Sequence, residues 1–162
     1  MIFISLFGCK KDENRNPELD KLPPPTQNGA NTCGCLLNDK AWIANVPDTV
    51  ANVYTIGDKI FMNLYSSDTI TILSLVLRGY KPVINESYKI NNGLGWAFFQ
   101  NDTCNYNSNS DLKNLSTITF SKLDTVNKIM SGSFSHTFKS PAASPGCKEI
   151  ALTDCRFDFK YF

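Results

Sequence analysis

The sequence predicts an all-β fold, an antiparallel β-sandwich or barrel-like meander with little or no helix. Three observations carry that expectation. Apolar and polar side chains alternate at period two in several short runs, the pattern of half-buried strands. Turn-forming clusters separate those runs: Gly57-Asp58, Ser66-Ser67-Asp68, Asn91-Asn92-Gly93 and Asp124 to Asn127. No long segment carries the 3.6-residue periodicity of an amphipathic helix.

At the N-terminus, Met1 to Gly8 is a short apolar run that meets Cys9 and then switches to Lys10-Lys11-Asp12-Glu13. Apolar, small, cysteine and then charge reads as a bacterial lipobox, in which Cys9 becomes the acylated first residue of the mature protein. Residues 1–8 are then a truncated signal peptide. A secretory signal normally offers a basic region and roughly 7–15 apolar residues. No Lys or Arg precedes Cys9, which a start codon placed too late would explain. The run is far short of the ~18 apolar residues of a spanning helix. Stable anchoring takes two or more acyl chains, which a diacylated or triacylated cysteine provides. The expected partner is therefore the membrane, through lipid on Cys9, and the expected location is the outer membrane.

Residues 9–31 read as a lipidated flexible spacer. From Lys10 to Asn31 the chain is polar, with Pro17, Pro23-Pro24-Pro25 and Gly29, and has too little apolar area to offset its ordering entropy. The three consecutive prolines predict a short polyproline II stretch. Residues 32–162 read as a single β domain. The chain of 162 residues is 42% hydrophobic and 19% charged, enough for one core that buries roughly two-thirds of the unfolded surface. Its net charge is +1 with no clustered basic face, which argues against a nucleic-acid partner.

Within the domain, Ile60, Met62 and Leu64 share one face of a strand over Lys59 to Tyr65. Thr69 to Ile72 alternates, and Leu73 to Leu77 then runs apolar, as a strand covered on both faces or carrying a bulge would. Gly95 to Gln100 and Thr117 to Phe120 are further strands. The last strand is read with Thr153, Cys155, Phe157, Phe159 and Tyr161 on the core side and Asp154, Arg156, Asp158 and Lys160 on the other. Asp154 and Asp158 could be a catalytic carboxylate pair. Their interleaving with Arg156 and Lys160 favours a solvated ladder of ion pairs instead.

Setting Cys9 aside for lipid leaves five cysteines, Cys33, Cys35, Cys104, Cys147 and Cys155, and at least one unpaired thiol. Disulfides are expected in an oxidising compartment. Cys33 and Cys35, two apart on one strand, point the same way and cannot easily bond each other. The expected bridge joins Cys104 to Cys33 or Cys35, with Cys155 or Cys147 in any second. No metal or cofactor is expected: Cys33-Gly34-Cys35 lacks a second ligand pair, and the only histidine, His136, lies outside any ligand-spaced motif. The alternating Asn105, Asn107, Asn109 and Asp111 lack the acids and the closing Glu of a calcium loop.

Two functions from different classes remain. One is a binding or interaction module for a glycan or an envelope protein, using Trp96, Phe98, Phe99 and Tyr106 beside the Asn-rich loop. The other is an extracytoplasmic hydrolase using His136 with a carboxylate, although no nucleophile elbow supports it.

Longer blocks carry a resemblance. Gly29-Ala30-Asn31-Thr32-Cys33-Gly34-Cys35-Leu36-Leu37-Asn38-Asp39-Lys40-Ala41-Trp42 resembles the start of a family of Bacteroidetes lipoproteins of unknown function. Thr117 to Asp124, Ile129 to Ser135 and the closing Leu152 to Tyr161 resemble it too. The resemblance implies an all-β lipoprotein domain and no defined activity. The family usually has Gly where Cys155 stands and an aromatic where Cys33 stands, which suggests an added covalent link here. Lys11-Asp12-Glu13 likewise resembles the surface-export signal of such lipoproteins, implying display outside the outer membrane. Asp48-Thr49-Val50, Asp68-Thr69-Ile70 and Asp124-Thr125-Val126 resemble their O-glycosylation sites.

Overall fold

The computed structural model describes residues 15–44, 52–57, 59–65, 72–78, 83–89, 95–101, 103–107, 116–141 and 146–161. Among the described residues, eleven strands build two antiparallel sheets. In chain order they are β1 (Thr32–Leu37), β2 (Lys40–Ile43), β3 (Asn52–Ile56), β4 (Lys59–Tyr65), β5 (Ile72–Arg78), β6 (Ser87–Lys89), β7 (Gly95–Gln100), β8 (Asn105–Asn107), β9 (Thr117–Asp124), β10 (Ile129–Phe138) and β11 (Ile150–Lys160). One sheet has the order β2-β1-β11-β10-β9-β6, the other β3-β4-β5-β7-β8. The expected all-β class holds, as an open sandwich and not a closed barrel. Among the described residues there is no α-helix, and no helix long and apolar enough to cross a membrane.

Local chemistry sets the hairpins. Asn38 and Asp39 both adopt positive φ (46° and 65°), as a two-residue turn matched to strand twist requires, and both residue types tolerate that region. Between β9 and β10, the Asp124 carboxylate accepts from the backbone N–H of Val126 and Asn127, closing the turn over Thr125 to Lys128. Asp124-Thr125-Val126 is thus a structural turn with Val126 87% exposed, while the other two Asp-Thr motifs lie outside the described residues.

The core is filled from both sheets. Ile60, Met62, Leu64, Leu73, Leu75, Ala97 and Phe99 face Ile118, Phe120, Met130, Phe134, Phe138, Leu152, Phe157 and Phe159. Leu73 to Val76 are all buried, the polar Ser74 included, as a strand covered on both faces requires. Gly132 is the one position in β10 where the packing admits no side chain. A Cβ there would strike the Thr119 carbonyl and lie 2.8 Å from the Phe157 ring.

Two expectations fail in β11. Thr153 is exposed while Leu152 and Ile150 are buried, because a bulge interrupts the alternation. Leu36 pairs with Thr153 but Gly34 with Arg156, so Asp154 and Cys155 together oppose Cys35, and Asp154 takes φ 50°. The second failure is Asp158, which is 1% exposed and not a member of a solvated ladder.

Asp158 is covered by the segment expected to be a free spacer. A 3-10 helix over Pro17–Lys21 sits at the β2 edge, where the Glu18 carboxylate accepts from Ala41 N–H at 3.0 Å. Leu22 is buried, and Pro23 lies over Gly34 so closely that a Cβ on Gly34 would come within 2.7 Å of its Cδ. The chain then crosses to β11 and β10. Lys122 donates to the Gln27 carbonyl at 2.9 Å, and Asn31 accepts from Lys160 N–H as the segment turns into β1. Residues 16–31 form a strap across the outer face of the six-stranded sheet. Local polarity predicts a free segment, whereas Asp39, Ala41, Lys122, Asp158 and Lys160 supply it with partners from the sheet and its turns.

Candidate functional site

Three places concentrate chemistry: the carboxylate under the strap, a Ser–His pair in the core, and the thiols along the β1–β11 seam.

Asp158 receives five hydrogen bonds. The Thr26 hydroxyl donates at 2.7 Å, the N–H groups of Asn28, Gly29 and Ala30 at 3.1, 2.9 and 3.1 Å, and the Ser131 hydroxyl at 2.7 Å. Gly29 has φ 73°, which aims three successive amides at one carboxylate, as in a backbone nest. Burial pushes the Asp158 pKa up, but the bonds from Thr26, Ser131, Ala30 and Gly29 outweigh it and hold the carboxyl below its ordinary value. Asp154, by contrast, is exposed at the bulge. One acid lies under the strap and the other in solvent, so the two do not form a catalytic carboxylate pair.

His136 is 1% exposed on the core face of β10, next to Phe138, with ring centroids 4.1 Å apart. Its Nδ1 is hydrogen-bonded to the hydroxyl of Ser116, itself fully buried immediately before β9. The register explains the meeting: Phe134 pairs with Ile118, so the next core-facing pair outward is His136 with Ser116. Burial depresses the His136 pKa to about 4, keeping the ring neutral at physiological pH. Its Nε2 is buried and has no hydrogen-bond partner. A Ser–His pair is the start of a nucleophile–base arrangement, but that arrangement also needs a third group to orient the imidazole. Here the free nitrogen faces no carboxylate among the described residues. Ser116 was not singled out from sequence, because only the β9–β10 register reveals its partner.

The expected aromatic site divides. Phe99 and Tyr106 are 1% and 2% exposed, and with Phe138 they form a triangle of rings 5.8–5.9 Å apart that joins the two sheets. They are core residues and not a surface, because the alternation of β7 and β8 turns them inward. Tyr106 hydroxyl donates to the Lys148 carbonyl at 2.7 Å beside the Cys104–Cys147 bridge. Phe98 is half-buried on the opposite face of β7, where it pairs with Ser74 on one side and Asn107 on the other. Trp96 holds the register position opposite Val76, which pairs with Phe61. Asn63, Gln100, Asn105 and Asn107 share the outer side of this sheet with Phe61 and Phe98, alternating with buried neighbours. The Asn-rich stretch is otherwise outside the described residues from 108 to 115.

The expected pairing of Cys104 with Cys33 or Cys35 is replaced by Cys104–Cys147, with Cα atoms 5.8 Å apart and a sequence separation of 43. β8 and the segment before β11 meet at one end of the sandwich, whereas Cys33 and Cys35 lie on β1 beyond β11. Cys33, Cys35 and Cys155 are buried free thiols. Burial raises the pKa of Cys33 and Cys155 well above the ordinary thiol value. Among the described residues no cluster of His, Cys, Asp or Glu is arranged to hold a metal ion.

Compared with protein-family models, curated proteins and solved structures, the chain gives no match.

Proposed function

We propose that this chain is a lipid-anchored envelope protein whose sandwich acts as a binding module, with a glycan as ligand. The observation that carries the reading is the outer face of the five-stranded sheet, where Phe61 and Phe98 stand among Asn63, Gln100, Asn105 and Asn107. Aromatic rings offer flat apolar area to the C–H face of a sugar ring. Carboxamides offer both donors and acceptors to its hydroxyls. Acylation at Cys9 would place the module on the outer membrane, and the resemblance to Bacteroidetes lipoproteins supports that attachment. The Cys104–Cys147 bridge fits an oxidising compartment.

The test is affinity electrophoresis of the Cys9→Ala chain through gels containing purified surface polysaccharide. Wild-type retardation should fall at least tenfold in Phe98→Ala and Asn63→Ala. Equal mobility of all three with and without polysaccharide would remove the glycan reading. Attachment is tested separately: wild type should enter the detergent phase on phase separation and Cys9→Ala should not.

The Ser116–His136 contact favours a second reading, a hydrolase. It requires both buried groups to be reached by substrate. Turnover of a chromogenic ester that disappears in both Ser116→Ala and His136→Ala would support it over the binding module.

A further inference from the structure

The three free thiols among the described residues lie along one seam of the six-stranded sheet, between β1 and β11, and the register limits which two are neighbours. Both Asp154 and Cys155 oppose Cys35 across the bulge, whereas Cys33 pairs with Phe157. Both thiols, Cys35 and Cys155, are buried, and the Cys155 thiol donates to the Thr153 carbonyl at 3.6 Å. At a bulge the single residue of the shorter strand faces both residues of the longer one, so Cys35 and Cys155 are cross-strand neighbours with no residue between them, and a disulfide asks for Cα atoms roughly 4.4–6.8 Å apart. Diagonal neighbours, the relation of Cys33 to Cys155, lie about 7–8 Å apart, beyond that range. Cys33 and Cys35 share one strand face and cannot bond each other. One pairing survives these geometric limits.

We infer that Cys35 and Cys155 are a dithiol that closes into a second disulfide by exchange with a disulfide oxidant, leaving Cys33 as the odd thiol. The Cys35 thiolate attacks one sulfur of a low-molecular-weight or protein disulfide and releases the other sulfur as a thiol. The Cys155 thiolate then attacks the Cys35 sulfur of the mixed disulfide and releases the second thiol. Two protein thiols are oxidised, one oxidant disulfide is reduced to two thiols, and the two protons pass to it. Closing Cys104–Cys147 needs an oxidant of the same class. The seated thiols are buried, so exchange takes place before β1 is laid against β11. The bridge would tie the strand that follows the strap covalently to the centre of its sheet.

The experiment refolds the full chain, carrying Cys9→Ala, from the reduced unfolded state in a glutathione redox buffer. Free thiols are then alkylated and the protein is digested without reduction for mass spectrometry. Wild type and Cys33→Ser should both yield a peptide joining Cys35 to Cys155 beside Cys104–Cys147, and Cys35→Ser should not. Should Cys35→Ser fail to fold, fragmentation of the wild-type bridged peptide between Cys33 and Cys35 identifies the sulfur used. Reducing the second bridge should raise the unfolding rate in urea at least tenfold. Alkylation of both Cys35 and Cys155 in protein whose Cys104–Cys147 is closed would overturn the inference. So would a bridge made through Cys33.

Discussion

Replacing Asp158 with Asn tests the strap most directly. The carboxylate is 1% exposed and accepts five hydrogen bonds, three of them from consecutive backbone amides. In Asn the single carbonyl oxygen can take the place of one carboxylate oxygen, and the NH2 group takes the other. If the amide occupies the Oδ2 position, it points a donor at the N–H groups of Asn28 and Ala30, and only Thr26 can rotate to accept. Two amides then lose their acceptor, at about 1–3 kcal/mol each when buried. Because the strap can lift to let water reach them, the expected loss is about 2–4 kcal/mol, a large share of the ~5–15 kcal/mol of a typical domain. Urea unfolding at pH 7 measures it, and hydrogen exchange at Asn28, Gly29 and Ala30 should accelerate well beyond exchange in the core strands. Asp154→Asn is the control: the side chain is exposed and Asn tolerates its φ of 50°, so the cost should stay below ~0.5 kcal/mol. A loss under ~1 kcal/mol for Asp158→Asn, with those amides still protected, would refute the latch.

Other expectations follow from the same contacts. Gly132→Ala should destabilise by about 1–3 kcal/mol or more, since its methyl meets backbone on one side and the Phe157 ring on the other; thermal denaturation checks it. Removing the Cys104–Cys147 bridge by Cys104→Ser with Cys147→Ser should cost about 4 kcal/mol in the chain-entropy account for a separation of 43, read from urea midpoints. His136 titrates near 4 in the folded chain and near 6.5 unfolded, so the unfolded state binds more protons between those values. Stability should therefore be full above about pH 6.5 and fall as pH drops towards 4, by on the order of 3 kcal/mol. The Ser116→Ala/His136→Phe double variant should lose that slope. Asp158, whose pKa is lowered from 3.8, contributes stability that is present above that value and lost below it, so its window lies under the histidine's.

The fold class was legible because it is written in local periodicity. β4, β5, β7 and β9 follow their runs of apolar alternation closely, and the turn at Asp124 to Asn127 forms as its residue types dictate. What failed depends on contacts far apart in sequence. Nothing local marks the bulge at Asp154, which shifts the phase of β11 and exposes Thr153. Asp158 was read correctly as pointing away from the core. Its burial depends on residues 26–30, about 130 positions earlier in the chain. Nothing local marks Ser116 either; the register of β9 against β10 sets it beside His136. Phe99 and Tyr106 were grouped with Phe98 by proximity in sequence, whereas strand alternation puts them on the opposite side. Cysteine pairing is the extreme case, because spacing alone does not constrain which elements meet.

The strap changes what attachment at Cys9 would mean. A free spacer from Cys9 to the first strand at Thr32 would let the sandwich wander within roughly 80 Å of the bilayer, at about 3.5 Å per extended residue. With Asn16 already seated against the Asp39 carbonyl, about seven residues remain, with a reach of roughly 25 Å at most. That reach is close to the length of one strand of the sandwich, so on the proposed reading the domain rests against the membrane surface and does not float above it. The strap also covers the outer face of the six-stranded sheet, close to the point of attachment. The outer side of the five-stranded sheet lies across the full thickness of the sandwich from the strap, and its central positions, Ser74 and Val76, are buried beside Asn63, Phe61 and Phe98. The residues proposed to bind, Phe61, Phe98 and the carboxamides around them, are on that side. Deleting residues 16–30 with Cys9 kept would not merely shorten the tether. It would bare Asp158 and Gly34 and unseat the edge at Ala41, so the loss should appear first in stability and only then in binding.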